Sequence, residues 1–258
     1  MAARRLPARV WHGPARRVWL ALCVWLALLV PVAAGAQDIV SARYTDPTTR
    51  YPHGVLGDTV EHAGLEVTLG DGSRRTLLWP QEIVFEDTAP RVMDLSGDGA
   101  PEVIVVESDQ NLGARLAVYT MRDGALTLFA AGPFIGQRFR WLAVVGAGDL
   151  NGDGRLEIAY VDRPHLAKTL RVMRVERIDS VNHVLREVAN RPGLTNHRIG
   201  ERDIAGGIRD CGQGPEMILA TADWARLVAV TFDGTTTQAR DIGRHRDRAS
   251  FAAALACE

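Results

Sequence analysis

Pro101-Glu102-Val103-Ile104-Val105-Val106-Glu107-Ser108-Asp109 returns more than a hundred residues later as Pro215-Glu216-Met217-Ile218-Leu219-Ala220-Thr221-Ala222-Asp223, position by position. A shorter copy is Leu156-Glu157-Ile158-Ala159-Tyr160-Val161-Asp162, and a weaker one is Pro52-His53-Gly54-Val55-Leu56-Gly57-Asp58. Units beginning at residues 52, 101, 156 and 215 have the spacing of repeat architectures such as propellers and solenoids. Each copy is a short apolar run bounded by turn residues, which reads as a buried strand.

Every run leads into a second one. Ala114-Arg115-Leu116-Ala117-Val118-Tyr119-Thr120 matches Ala225-Arg226-Leu227-Val228-Ala229-Val230-Thr231, and residues 64–69 and 170–175 are the counterparts. Three units then reach an Asp-Gly pair (Asp71-Gly72, Asp123-Gly124, Asp233-Gly234), a hairpin signal because both residues tolerate positive φ. A third strand follows, as at 125–130, and a strand rich in small and apolar residues precedes the later units, as at 141–147 and 204–208. Four antiparallel strands per unit make one propeller blade. The fold expected is therefore all-β, a small β-propeller of about four four-stranded blades. The first unit lacks a leading strand, and residues 249–256 resemble one without a blade of their own. A C-terminal strand closing the first blade is the expectation, since it would cover an open sheet edge.

The N-terminus is a separate matter. Arg4, Arg5, Arg9, Arg16 and Arg17 precede an apolar run over 18–32, and Ala34-Gly35-Ala36 offers a small-x-small cleavage site. That is the layout of a secretory signal peptide, so 1–36 is assigned to a signal and 37–258 to the domain. The apolar run is short of the roughly 20 residues of a spanning helix, and no membrane span is expected after cleavage. Without the signal, 25 basic residues face 31 acidic ones, which argues against a nucleic-acid partner. The expected location is periplasmic or secreted. Cys211 and Cys257 remain, and in an oxidising compartment they pair most simply as one disulfide, each at the end of an inner strand.

Between inner strand and repeat lie Asp94-Leu95-Ser96-Gly97-Asp98-Gly99-Ala100-Pro101-Glu102 and Asp149-Leu150-Asn151-Gly152-Asp153-Gly154-Arg155-Leu156-Glu157. Oxygen-bearing side chains at positions 1, 3 and 5, a glycine at 6 and an acid at 9 suit a hard cation such as calcium. The spacing is not that of an EF-hand, whose closing glutamate stands at 12. These loops resemble the FG-GAP/VCBS repeats of integrin α-subunit heads and exported bacterial proteins. The resemblance implies a propeller with calcium in its loops and recognition of a protein or glycan. The ligands it implies are Asp94, Ser96, Asp98 and Glu102, and Asp149, Asn151, Asp153 and Glu157, with the carbonyls of Ala100 and Arg155. Ser96 departs from the usual Asp or Asn, and the third copy, Arg209-Asp210-Cys211-Gly212-Gln213-Gly214-Pro215-Glu216, has lost its acid series.

Nothing in the chain reads as a nucleophile elbow, a phosphate-binding glycine loop or a paired-histidine metal motif. Connections into the inner strands carry Arg138, Arg140, Arg202, Arg244, Arg246 and Arg248. Gathered round one mouth of a ring, they could grip an anionic glycan or an acidic protein. The leading function is a calcium-binding interaction module for a protein or anionic glycan. The alternative is an enzyme on the same ring, a polysaccharide lyase or phosphodiesterase; lyase chemistry would gather Arg50, Tyr51 and His53 with Arg138 or Arg202.

Overall fold

The computed structural model describes residues 35, 37–179 and 182–258. The signal assigned to 1–36 therefore lies outside the described residues, Gly35 apart. Strand makes up 52% of the described residues and helix 4%, so the all-β class holds. No helix among the described residues is long and apolar enough to cross a membrane.

The first unit is β1 (Ile39–Thr48), β2 (Glu61–Leu69) and β3 (Arg74–Leu78), with β2 in the middle. The short β4 (Ile83–Phe85) bridges it to the second unit, formed by β5 (Arg91–Met93), β6 (Glu102–Asp109), β7 (Gly113–Arg122) and β8 (Ala125–Ala131). The third is β9 (Leu142–Gly148), β10 (Glu157–Asp162), β11 (Thr169–Arg177) and β12 (His183–Pro192). The fourth is β13 (Leu194–Thr195), β14 (Gly207–Asp210), β15 (Pro215–Thr221), β16 (Arg226–Phe232) and β17 (Thr237–Arg244). Among the described residues all pairings are antiparallel, and no sheet closes on itself.

The repeated apolar runs are continuous because their strands are buried on both faces. Side chains alternate along a strand, so Val103 and Val105 of β6 pack against Leu65, Val67 and Phe85 of the first unit. Ile104 and Val106 pack the other way, against Leu142, Val144 and Ile158 of the third. In the same manner Met217 and Leu219 of β15 meet Ala159, Val161 and Val172. Their neighbours Ile218 and Ala220 face the opposite side, where Phe251 and Ala254 cover them.

That cover corrects the expected closing strand. Residues 249–256 are not a strand: Arg248–Leu255 form helix α1, which packs on the last unit and not on the first. Asp247 caps it, its side chain accepting the Ser250 N–H while Ser250 answers the Asp247 N–H. Alanine has the highest helix propensity, and with this capping box the local preference decides the conformation. The leading strand that the first unit seemed to lack is β1, upstream of the weak repeat. Residues 52–57 form no strand, since Gly54 and Gly57 adopt φ of 69° and 90°.

Residues 50–57 tie the units together instead. The Tyr51 hydroxyl accepts the Phe139 N–H at 2.8 Å, and the Val55 carbonyl accepts the Gly200 N–H at 3.0 Å. The Arg50 carbonyl accepts from Gln110 Nε2 at 3.2 Å. One short segment thus reaches the second unit and the lead-ins of the third and fourth.

The candidate cation loops and the arginine groove

Loops 94–101 and 149–156 join inner strand to second strand at the same place in two consecutive units. Asp94 Oδ1 and Oδ2 accept the N–H groups of Gly97 and Gly99 at 2.8 and 2.9 Å. Asp149 makes the equivalent bonds to Gly152 and Gly154 at 2.7 and 2.9 Å. The glycines at both places have positive φ, between 74° and 88°, which bends the chain around the aspartate. These donors hold Asp149 below the usual carboxylate range, the Gly154 N–H foremost. Asp153 is drawn down to about 2, chiefly by the Arg155 N–H.

The acid at position 9 separates the units. Glu102, Glu157 and Glu216 are all buried, at 2%, 0% and 8% exposure, and a buried carboxylate needs compensation. Glu216 has two guanidinium partners, Arg209 and Arg240, each at 2.7 Å. Glu157 has one, Arg174, whose Nη2 also reaches Asp153 at 3.2 Å. Glu102 accepts the N–H groups of Leu95 and Ser96, at 2.7 and 3.3 Å, and a bond from the Ser96 side chain, and among the described residues it has no ion pair. Burial pushes its carboxyl up. The first loop therefore keeps a buried acid without a positive charge, while among the described residues no three His, Cys, Asp or Glu side chains come together as a metal-binding group. In the second, Arg174 already supplies positive charge among the same acids. The sequence ranks the loops the other way, because Asn151 is a better ligand than Ser96; the decisive residue, Arg174, lies on β11, outside the motif.

Cys211 and Cys257 are bonded, with Cα atoms 5.8 Å apart. The bond ties the third-copy loop to the residues that follow α1, so the cysteine serves the helix and not a closing strand.

The six arginines expected at one mouth stand in different places, Arg248 being paired with Glu201 and Asp203. Arg244 and Arg246 line an open groove beside α1, together with Arg209, Arg226 and Arg240. Arg226 pairs with Asp241 at 2.7 Å, while Arg244 and Arg246 form no ion pair among the described residues. Arg202 packs its Cγ beside Gly57. Arg138 lies 4.6 Å over the Phe139 ring and 5.5 Å from that of Tyr51. Arg140 lines a different pocket. Tyr51, His53 and Arg138 do come together, but Arg50 Nη2 is committed to the carbonyls of Trp79 and Ile83. Tyr51 is fully buried and desolvation raises its pKa.

One titrating pair was not visible in the sequence. His165 Nε2 donates to His197 Nδ1 at 3.0 Å, and His197 Nε2 donates to the Glu201 carbonyl at 2.9 Å. His197 must be neutral for this chain, since its Nδ1 accepts while its Nε2 donates. Desolvation, aided by the neighbouring His197 and His53, lowers His165 from 6.5 to about 4. Between those values the unfolded chain binds the proton and the folded one does not, so stability falls as pH drops through this window. Melting temperature should decline from pH 6.5 to 4, and His165→Asn should flatten part of that slope; an identical slope in the variant would remove the pair from the explanation.

An FG-GAP-like repeat is found over residues 94–160, spanning both aspartate loops. No curated protein matches the chain. The repeat suggests a β-propeller-like interaction module.

Proposed function

We propose that the protein is an exported interaction module whose four units act as blades of a small propeller-like body stiffened by calcium. The observation that carries the cation is Glu102, a buried carboxylate without a positive partner behind Asp94 and Asp98. Asp94, Ser96, Asp98 and Glu102 would hold the first ion. Asp149, Asn151, Asp153 and Glu157 would hold a second in competition with Arg174. Export is supported by the signal-like N-terminus and by the disulfide, a bond that persists in oxidising compartments. The groove carrying Arg244 and Arg246 suits an acidic partner, an anionic glycan or an acidic protein face, by charge-assisted hydrogen bonding.

Calcium binds the folded loops and not the unfolded chain, so it should stabilise by mass action. With affinity of about 0.1–1 mM, ~10 mM calcium should add roughly 1.5–3 kcal/mol. Asp94→Ala with Asp98→Ala should remove most of this gain, and Asp149→Ala with Asp153→Ala a smaller part. Thermal denaturation with calcium and with chelator reads both; a gain unchanged in both double variants would place the ion elsewhere.

A further inference from the structure

Away from the aspartate loops, three units meet at a pocket of about 260 Å³. The inner strands are interrupted beside it. β4 and β5 both pair with β6, and the gap between them holds Glu86 and Asp87. β13 and β14 both pair with β15, and that gap holds Asn196 and His197. The third unit has a register shift opposite Ala159 and Tyr160. Such irregularities re-aim side chains near functional sites.

The polar residues in the gaps support the pocket wall from behind. Glu86, fully buried, accepts from Ser108 and bonds His53 Nδ1 at 2.5 Å, which leaves His53 Nε2 as the ring's second polar atom. The Glu86 carbonyl accepts from Trp141 Nε1 at 2.7 Å. His197 positions His165, whose ring lies nearly parallel to Trp141 at an interplanar angle of 17°. His53 stacks on Phe139 with centroids 5.1 Å apart. Two of the lining residues, Phe139 and Arg163, have φ of 57° and 44°. Left-handed backbone is costly for bulky residues and persists where the surroundings enforce it, often at ligand clamps.

The lining is apolar and positive. No carboxylate side chain lines the pocket. Arg163 is neutralised by Asp162 through bonds of 2.8 and 3.0 Å. Arg140 bonds only the Phe139 carbonyl, at 3.1 Å, and has no acidic partner among the described residues. At the rim, Leu166 and Ile199 are 62% and 71% exposed, an unusual outlay of apolar surface beside a cation. Flat rings on the walls, one free guanidinium and an apolar rim match a ligand with a charged end and a flat, apolar body.

We propose that this pocket binds a small planar organic carboxylate, its charge on Arg140 and its flat body among the lining rings of His53, Phe139 and His165, with the buried Trp141 backing His165. The site is independent of calcium and of the arginine groove. Cinnamate and its neutral amide, matched in size, are the probes. Calorimetric titration of the calcium-free full-length domain should show saturable binding of cinnamate, with the amide weaker by about tenfold or more. Arg140→Met should lose about tenfold in cinnamate affinity and keep the wild-type circular dichroism spectrum. Arg244→Met, in the separate groove beside α1, should bind as wild type. Absence of saturable binding, equal affinity for acid and amide, or wild-type affinity in Arg140→Met would overturn the proposal.

Discussion

Phe251→Ala should cost about 3–5 kcal/mol of folding stability, the range for removing a large buried aromatic side chain. Phe251 is 3% exposed and stands against Ile218, Ala220, Leu227 and Ala229. It also meets the rings of Trp224 and His245 at 6.3 and 5.5 Å. Without it α1 retains only Ala254 and Leu255 as apolar contacts, too little to hold eight residues that would not be helical alone. The free face of the last unit would then meet water. Urea denaturation should show a lower midpoint and a dye-binding apolar surface. Cys257→Ser should be milder, since a bond across 46 residues contributes roughly 2–4 kcal/mol. A loss below about 1 kcal/mol in Phe251→Ala, an ordinary surface effect, would mean that the helix does not cover this sheet.

Arg174→Met should be equally damaging, and for an electrostatic reason. Its guanidinium is the single cation on Glu157, which has no exposure to solvent. Breaking a buried pair from one side strands the other charge and typically costs 3–5 kcal/mol. Arg174→Met with Glu157→Met should recover most of the loss, because an apolar pair of similar volume is often neutral or better. The cycle of single and double variants isolates the interaction. Added calcium should rescue the single variant more than the wild type, since the ion would occupy the charge vacancy; a rescue no larger than in the wild type would argue against a cation at the second loop.

Much of the fold was legible because its strands are local patterns. The run Val103 to Val106 is apolar at every position, which follows from burial on both faces, and it announces a central strand. The Asp123-Gly124 turn shows φ of 50° and 77°, as its composition demands. The ends of the chain were harder. Residues 249–256 resembled a leading strand only when a ring was assumed. Their own signals pointed elsewhere: Asp247 and Ser250 at capping positions, with Phe251, Ala254 and Leu255 at helical spacing. Similarly, Pro52 to Gly57 copies the repeat in letters, but its two glycines do the turning.

The candidate sites were legible in proportion to how local they are. The aspartate loops are contiguous, so position and spacing sufficed. Their difference in charge compensation depends on Arg174, a cross-strand neighbour of Glu157, where the first loop has Thr120, one residue past the last β6–β7 pair, Val103 with Tyr119. The Arg140 pocket draws on several segments, and its supports His53–Glu86 and His165–His197 join residues 33 and 32 apart. No periodicity reports such contacts.

The segment 50–57 has a consequence for the order of assembly. Successive sheets can pair and stack as soon as each is synthesised, because their hydrophobic clusters join neighbours in the sequence. The tie cannot. Tyr51 waits for Phe139, 88 residues downstream, and Val55 waits for Gly200. Such distant contacts carry the largest loop-closure cost and form late. The nascent chain should pass through a stage in which the sheets are built but can still slide against one another, and the arrival of residue 200 is the latch that ends it.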